Sequence, residues 1–308
     1  MPFILLILFL SVCLTAIVVP FAKVISLRLG LISDSAGTFQ SWKNIPLLGG
    51  FPHLFTLGVL IIAGIKLSPE LVLSESGILL IILLGAFLVF VVGLLHDLKV
   101  LSPWLTLLGH LLVAVILVSS GVVFNRDNQF LAYGLSLFYL VGATNAVKLQ
   151  DDIDGLATGL AGIAAFFFGV IFYLQGNMFG LLLSSIVVGS TMAFLYYNFN
   201  PAQLLLGSNG NFLLGLLVGI MAVLVGGGEL SKRTFFVSLV ILTMPILDTI
   251  TVLCKSVVKR QSLLERSGLH IYSRFVEKKL TPSKFLILSF SISILAGITA
   301  VWLFLDMA

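Results

Sequence analysis

GILLIILLGAFLVFVVGLLHDLKVLSP, residues 77 to 103, sets the architecture of the chain. From Gly77 to Leu95 there is no ionisable side chain, over a length sufficient to cross the roughly 30 Å hydrocarbon layer of a bilayer as a helix. His96, Asp97 and Lys99 then arrive together, so the apolar run stops where a water interface would begin. The same pattern repeats along the sequence. Apolar runs occupy 3–22, 46–65, 77–95, 103–124, 130–149, 156–174, 178–197, 209–226, 234–254 and 284–305. They predict an all-α, polytopic membrane protein of about ten transmembrane helices, forming a single integral membrane domain over 1–308. Of its 308 residues, 59% are hydrophobic and 10% charged, with a mean hydropathy of +1.18. That balance excludes a soluble globular domain. Cys13 and Cys254 both sit in apolar runs, where a thiol is a small packing residue. The net charge of +4 is too small and too scattered for nucleic-acid binding.

Lysine and arginine set orientation in a membrane. The connections after spans 1, 3, 5, 7 and 9 hold Lys23, Arg28, Lys43, Lys99, Lys148, Lys255, Lys259, Arg260, Arg266, Arg274, Lys278, Lys279 and Lys284, against Lys66, Arg126, Lys232 and Arg233 on the other side. This asymmetry predicts cytoplasmic odd-numbered loops and external termini. The same loops carry the unusual residues: LLHDLKVLSP (94–103), NAVKLQDDIDGLATG (145–159), NFNPAQLLLGSNGN (198–211) and the basic stretch 255–284. Whatever chemistry the protein does therefore belongs to one face.

Asp151, Asp152 and Asp154 fall within one turn ahead of a helix, a cluster that either holds a cation or caps the helix start. Lys148, three residues earlier, can pair with Asp151 or offer its ammonium to a phosphate. Gly207 and Gly210 bracket Ser208 and Asn209 before an apolar span, where backbone amides can face an anion or simply form a turn. His96 and Asp97 are either a polar helix end or a metal or proton-transfer pair. Asp248 lies inside the ninth run after Met244 and Pro245, and a buried acid at a proline kink points to function. Arg266, His270 and Arg274 are spaced by four, which on a helix gives one phosphate-binding face. Lys278, Lys279 and Lys284 suit anionic headgroups.

Taken in order and spacing, these segments resemble the polyprenyl-phosphate N-acetylhexosamine-1-phosphate transferases, membrane enzymes that load sugars on lipid carriers. Leu47 to Gly50 are similar to the end of that family's proline-rich, double-glycine segment, and GLLHDLKVLSP to its aspartate pair followed by Leu-Ser-Pro. NAVKLQDDIDGLATG resembles N-x-x-N-x-x-D-G-x-D-G-L-A, and NFNPAQLLLGSNG resembles F-N-x-N-P followed by G-D-S-G. PILDT around Asp248 and RQSLLERSGLH before a histidine cluster complete the set. The resemblance implies a magnesium-dependent enzyme, with manganese an alternative. The phosphate of polyprenyl phosphate would attack a UDP-N-acetylhexosamine and expel UMP at the cytoplasmic face of the inner membrane. It also implies roles. Asp97, Asp151 and Asp154 would hold metal or assist proton removal, with His96 beside them. Asn145 and His270 would orient the nucleotide sugar and its diphosphate. Asn200 matches a motif position, and Lys148, Ser208, Asn209, Arg266 and Arg274 complete the substrate contacts. The lipid bilayer is the solvent, and a homodimer is a possible assembly.

The departures from the family pattern fall where chemistry is expected. His96 stands for the first aspartate of the pair, Lys148 for an asparagine, Asp152 for a glycine and Ser208 for a metal-binding aspartate. Tyr272 and Ser273 replace later histidines of the cluster, and an Arg-Lys and a His expected between Ser33 and Pro46 are absent. Two readings stay open: an altered sugar-phosphate transferase, or a weakened relative that binds polyprenyl phosphate or nucleotide sugar. A transporter would need intramembrane charges and inverted repeats, and Asp248 alone lies deep in a run.

Overall fold

The computed structural model describes residues 2–33, 44–67, 76–124, 129–225, 232–259, 271 and 281–306, and among them every regular element is helical. In chain order the helices are α1 (Pro2–Arg28), α2 (Gly50–Leu67), α3 (Ser76–Asp97), α4 (Pro103–Ser119), α5 (Gln129–Leu149), α6 (Leu156–Leu174), α7 (Met178–Asn198), α8 (Gly207–Leu224), α9 (Lys232–Ile241), α10 (Thr243–Lys259) and α11 (Pro282–Asp306). Each of the ten apolar runs thus forms helix. Eight are long and apolar enough to cross a membrane singly. The fourth run ends early, because α4 stops at Ser119 in a Schellman turn: the Gly121 amide (φ +104°) donates to the Val118 carbonyl and the Val122 amide to that of Leu117.

The ninth run carries the kink expected from Pro245. It breaks at Leu242 into α9 and α10, bent by 77°. Pro245 is the reason, since it has no N–H for the Ile241 carbonyl four residues back and its ring crowds that oxygen. The amides of Leu242 and Ile246 keep helical partners at Ser238 and Leu242, so the break is confined to one turn.

Burial is graded from the bilayer inward. Leu5, Phe9, Ile17 and Phe21 of α1, Trp104, Leu108 and Leu112 of α4, and Ile287, Leu295 and Trp302 of α11 are exposed, an apolar exterior that only lipid would solvate. Polar side chains turn inward instead. Ser11 Oγ donates to the Ile186 carbonyl at 2.6 Å, and the hydroxyls of Thr15 and Thr56 meet at 2.8 Å, joining α1 to α7 and α2. At the centre stands α8, buried at every residue from Gly207 to Val223 and packed against α2, α3, α5, α6 and α7.

Such close packing needs small residues at crossings. Gly93 of α3 lies so near the start of α8 that a Cβ there would sit 2.5 Å from the Asn209 Cα. We expect Gly93→Ala to push α8 away and lower the apparent thermal unfolding temperature in detergent, a loss of about 1–3 kcal/mol typical of overpacking. Gly134→Ala, in open space, is the control that leaves it in place.

Candidate active site

The C-terminal ends of α1, α3, α5 and α7 and the N-terminal ends of α2, α6 and α8 meet at one end of the bundle. There the segments after α1 and before α2 clip together: Ile32 bridges Pro46, the Ser33 amide donates to Ile45, and the Leu47 amide to Leu31. The same strip pairs with Leu205, whose amide donates to the Pro46 carbonyl at 2.9 Å. These contacts bring four segments remote in sequence around a cavity of about 590 Å³. His96, Asp97 and Lys99 line it from the end of α3, Lys148, Asp151, Asp152 and Asp154 from the α5–α6 turn, and Asn198, Gly207 and Ser208 from the α7–α8 connection.

Asp97 is fixed by the start of α8. One carboxylate oxygen accepts the Ser208 amide at 2.9 Å, and the other accepts the Asn209 amide at 3.1 Å and Asn209 Nδ2 at 2.7 Å. The anion that the GSNG amides face is therefore a protein carboxylate at the positive end of a helix. Gly207 makes the turn possible: its φ is +69°, and a Cβ would meet the Leu47 carbonyl at 2.7 Å. Asn209 itself is fully buried. Its Oδ1 accepts the Gly50 amide at 2.7 Å and its Nδ2 donates to the Leu47 carbonyl at 2.7 Å as well as to Asp97.

The acidic turn holds its carboxylates differently. Lys148 Nζ donates to Asp151 Oδ2 at 2.8 Å, a partly buried pair three residues apart. Asp154 is buried and accepts the Ala202 amide at 3.0 Å, tying the acidic turn to the NFNPAQ segment. His96 Nδ1 lies 3.1 Å from the Thr106 hydroxyl, and its ring meets Phe212 edge-on.

Of the residues singled out from sequence, His96, Asp97, Lys148, Asp151, Asp154 and Ser208 converge on the cavity, and Asn145, Asn200 and Asn209 are not among its lining residues. Asn209 lies in the wall behind it. Asn145 Nδ2 donates to the Val141 carbonyl at 2.8 Å and lies 3.3 Å from His110 Nδ1, in a lateral groove between α4, α5 and α10. Arg266, His270 and Arg274 lie outside the described residues. Ser33, Lys99 and Asn198 also line the cavity and were not among the candidate site residues. Asn198 sits two positions before the motif-matching Asn200, within the same segment. Lys99 occupies a left-handed backbone position, φ +58°, that closes α3. A lysine held there costs about 1 kcal/mol or more relative to a glycine.

The cavity thus presents two lysines and a carboxylate cluster in a polar pocket at the end of an apolar bundle, an arrangement suited to a phosphorylated ligand with or without a shared cation. Among the described residues no three histidine, cysteine or acidic side chains converge closely enough to cage a metal by themselves.

This is a polytopic helical membrane protein with a polar, phosphate-suited cavity at one end. Comparison with known proteins shows what this class of protein is similar to. The family model described as "Glycosyl transferase family 4" matches residues 79–226. A probable undecaprenyl-phosphate N-acetylglucosaminyl 1-phosphate transferase of Bacillus subtilis (strain 168) is 28% identical over 301 residues, covering 94% of this chain and 82% of that protein. A phospho-N-acetylmuramoyl-pentapeptide-transferase of the same organism is 29% identical over 239 residues, 70% of this chain and 71% of the relative. One from Heliobacterium modesticaldum is 28% identical over 229 residues, 67% and 68% of the two chains. Over most of its length the chain is thus similar to transferases of this kind.

Two substitutions separate holding the fold from holding the ligand. Asp97→Ala leaves the Ser208 and Asn209 amides without their acceptor, and we expect a loss of about 3 kcal/mol. It should appear as a lower unfolding temperature in EDTA with no ligand present, which removal of a metal ligand alone would not produce. Lys99→Gly relieves the left-handed strain, so the unfolding temperature holds or rises. Nucleotide affinity, read by titration calorimetry, falls.

Proposed function

We propose that the protein transfers N-acetylhexosamine-1-phosphate from a UDP-linked sugar to polyprenyl phosphate, releasing UMP, at the cytoplasmic face of the inner membrane. The observation that carries this reading is the convergence of His96, Asp97, Lys148, Asp151, Asp154 and Ser208, from three motif segments, on one 590 Å³ cavity. The relatives whose names specify undecaprenyl phosphate and phospho-N-acetylmuramoyl-pentapeptide as substrates support it. The excess of basic residues in the loops that reach this end of the bundle supports the cytoplasmic side.

In such a reaction a phosphate oxygen of the lipid attacks the phosphorus that carries the sugar. The new P–O bond forms as the bond to the oxygen shared with the uridine-side phosphate breaks, and that oxygen departs with UMP. Positioning and charge neutralisation do most of the work in phosphoryl transfer. Lys99 and Lys148 would meet the diphosphate directly, while Asp97 keeps the α8 start and Ser208 in place beneath it.

Magnesium commonly keeps several waters and takes one or two carboxylates together with substrate phosphates, and the donor set fits that mode of binding. Asp151 and Asp154 would hold such an ion, which would supply further neutralisation of the transferring phosphoryl group. Both oxygens of Asp97 already accept amides, so it is a weaker candidate ligand. For the lipid, the lateral groove of about 520 Å³ between α4, α5 and α10 is lined by Leu107, Leu111, Val141 and Leu253, and Leu149 lines both the groove and the cavity. A polyprenyl chain lying there would bring its phosphate to the acidic turn.

The second reading, a binding-only relative, is favoured by Ser208 and His96 standing where carboxylates are expected. The experiment that separates them uses purified protein with undecaprenyl phosphate, a panel of UDP-N-acetylhexosamines, and Mg²⁺ or Mn²⁺, scoring UMP. We expect UMP release that Asp151→Asn reduces at least about 100-fold, on the scale of removing an electrostatic stabiliser. Nucleotide binding without turnover under every metal would reject transfer and leave the binding reading.

A further inference from the structure

Asp248 is a buried carboxylate on α10, six residues past the break at Leu242. Too far along the helix to cap it, the side chain reaches across instead. Its Oδ1 accepts the backbone amide of Ile271 at 2.9 Å, 23 residues further along the chain. Ile271 in turn packs against a separate apolar cluster of Ile153, Leu156, Leu160, Met244, Phe285 and Leu286. Ile153 lies between Asp152 and Asp154 in the acidic turn. A small cavity of about 20 Å³ marks this junction, lined by Asp248, Ile271, Gln150 and three residues that also line the large cavity: Leu149, Asp152 and Ile153. The far wall of the acidic turn thus includes Asp248 and Ile271.

A carboxylate within the membrane-spanning part of a chain is costly unless hydrogen-bonded or paired, and a charge-assisted bond to an amide is among the stronger ones. The bend at Pro245 angles α10 so that Asp248 meets Ile271. No catalytic step described above uses Asp248.

We propose that Asp248 is a positioning residue. By holding Ile271 against the apolar cluster that contains Ile153 it locks the acidic turn 151–154 into the geometry that lines the cavity. Its effect on the reaction passes through Asp151 and Asp154, and that part rests on the proposed sugar-nucleotide site. The lock itself does not.

Two readouts separate the lock from the reaction. In a Cys13→Ser, Cys254→Ser background carrying Ile153→Cys and Ile271→Cys, a short bis-thiosulfonate should cross-link the two positions in membranes. Asp248→Ala should slow this cross-link roughly tenfold, the scale of one lost hydrogen bond to a charged group. Asp248→Asn, whose side-chain oxygen still accepts, should restore it. In the otherwise unaltered enzyme, Asp248→Ala should raise KM for the UDP-sugar more than it lowers kcat, again with rescue by Asn. An unchanged cross-link in Asp248→Ala would overturn the proposal, as would Asn failing to restore a cross-link that Ala loses. Should Ala fail to fold, an Asp248→Asn protein that folds and does not cross-link also overturns it. A cross-link that depends on Asp248 in a protein without any turnover would uphold the lock while the transferase reading fails.

Discussion

The carboxylate of Asp97 meeting the first turn of α8 is the interaction on which the rest of the structure depends. It joins the end of one membrane helix to the beginning of the most deeply buried one, and Asn209 extends the junction to Leu47 and Gly50. Three helices and one irregular strip are thereby registered at a single point. Away from the bilayer such a network would compete with water. Here α8 has no exposed face on which to solvate its unpaired amides, so a protein anion must satisfy them. The cavity floor, with Gly207 and Ser208, follows from that requirement, because the same turn that receives Asp97 faces the polar space above it.

A second constraint acts from outside. With lipid on the periphery, apolar residues carry no information about which side of a helix faces inward, and helix contacts are made by small and hydroxylated residues. Ser11, Thr15, Thr56 and Gly93 do in this bundle what leucines do in a water-soluble one. Charge is displaced to the helix ends, where it gathers into one polar chamber.

This division explains what the sequence disclosed. Apolar runs are long-range averages, so all ten appeared as helix and Pro245 marked the kink in the ninth, while the 77° size of that bend and the early end of α4 at Ser119 fall below what a hydropathy window resolves. The cavity residues His96, Asp97, Lys148, Asp151, Asp154 and Ser208 were legible because ionisable and turn-forming groups at membrane boundaries are few. What was not legible is how their bonding capacity is allocated. Nothing in GSNG says that its amides face Asp97, or that the Asn209 side chain is consumed in the wall while Asn198 reaches the cavity. Lys99 was legible as an interfacial charge but not as a lining residue, since its left-handed backbone is imposed by the way α3 ends. Asp248 was conspicuous as a membrane acid, yet it accepts a backbone amide 23 residues away, which no spacing rule anticipates.

The central claim is that the chamber above Asp97 receives the nucleotide sugar. Photolabelling with 5-azido-UDP-N-acetylglucosamine in native membranes, followed by peptide mapping, tests it without requiring turnover. Labelled peptides should come from 94–103, 145–159 or 198–211, and excess UDP should suppress them. Competable labelling confined to other segments would contradict the account.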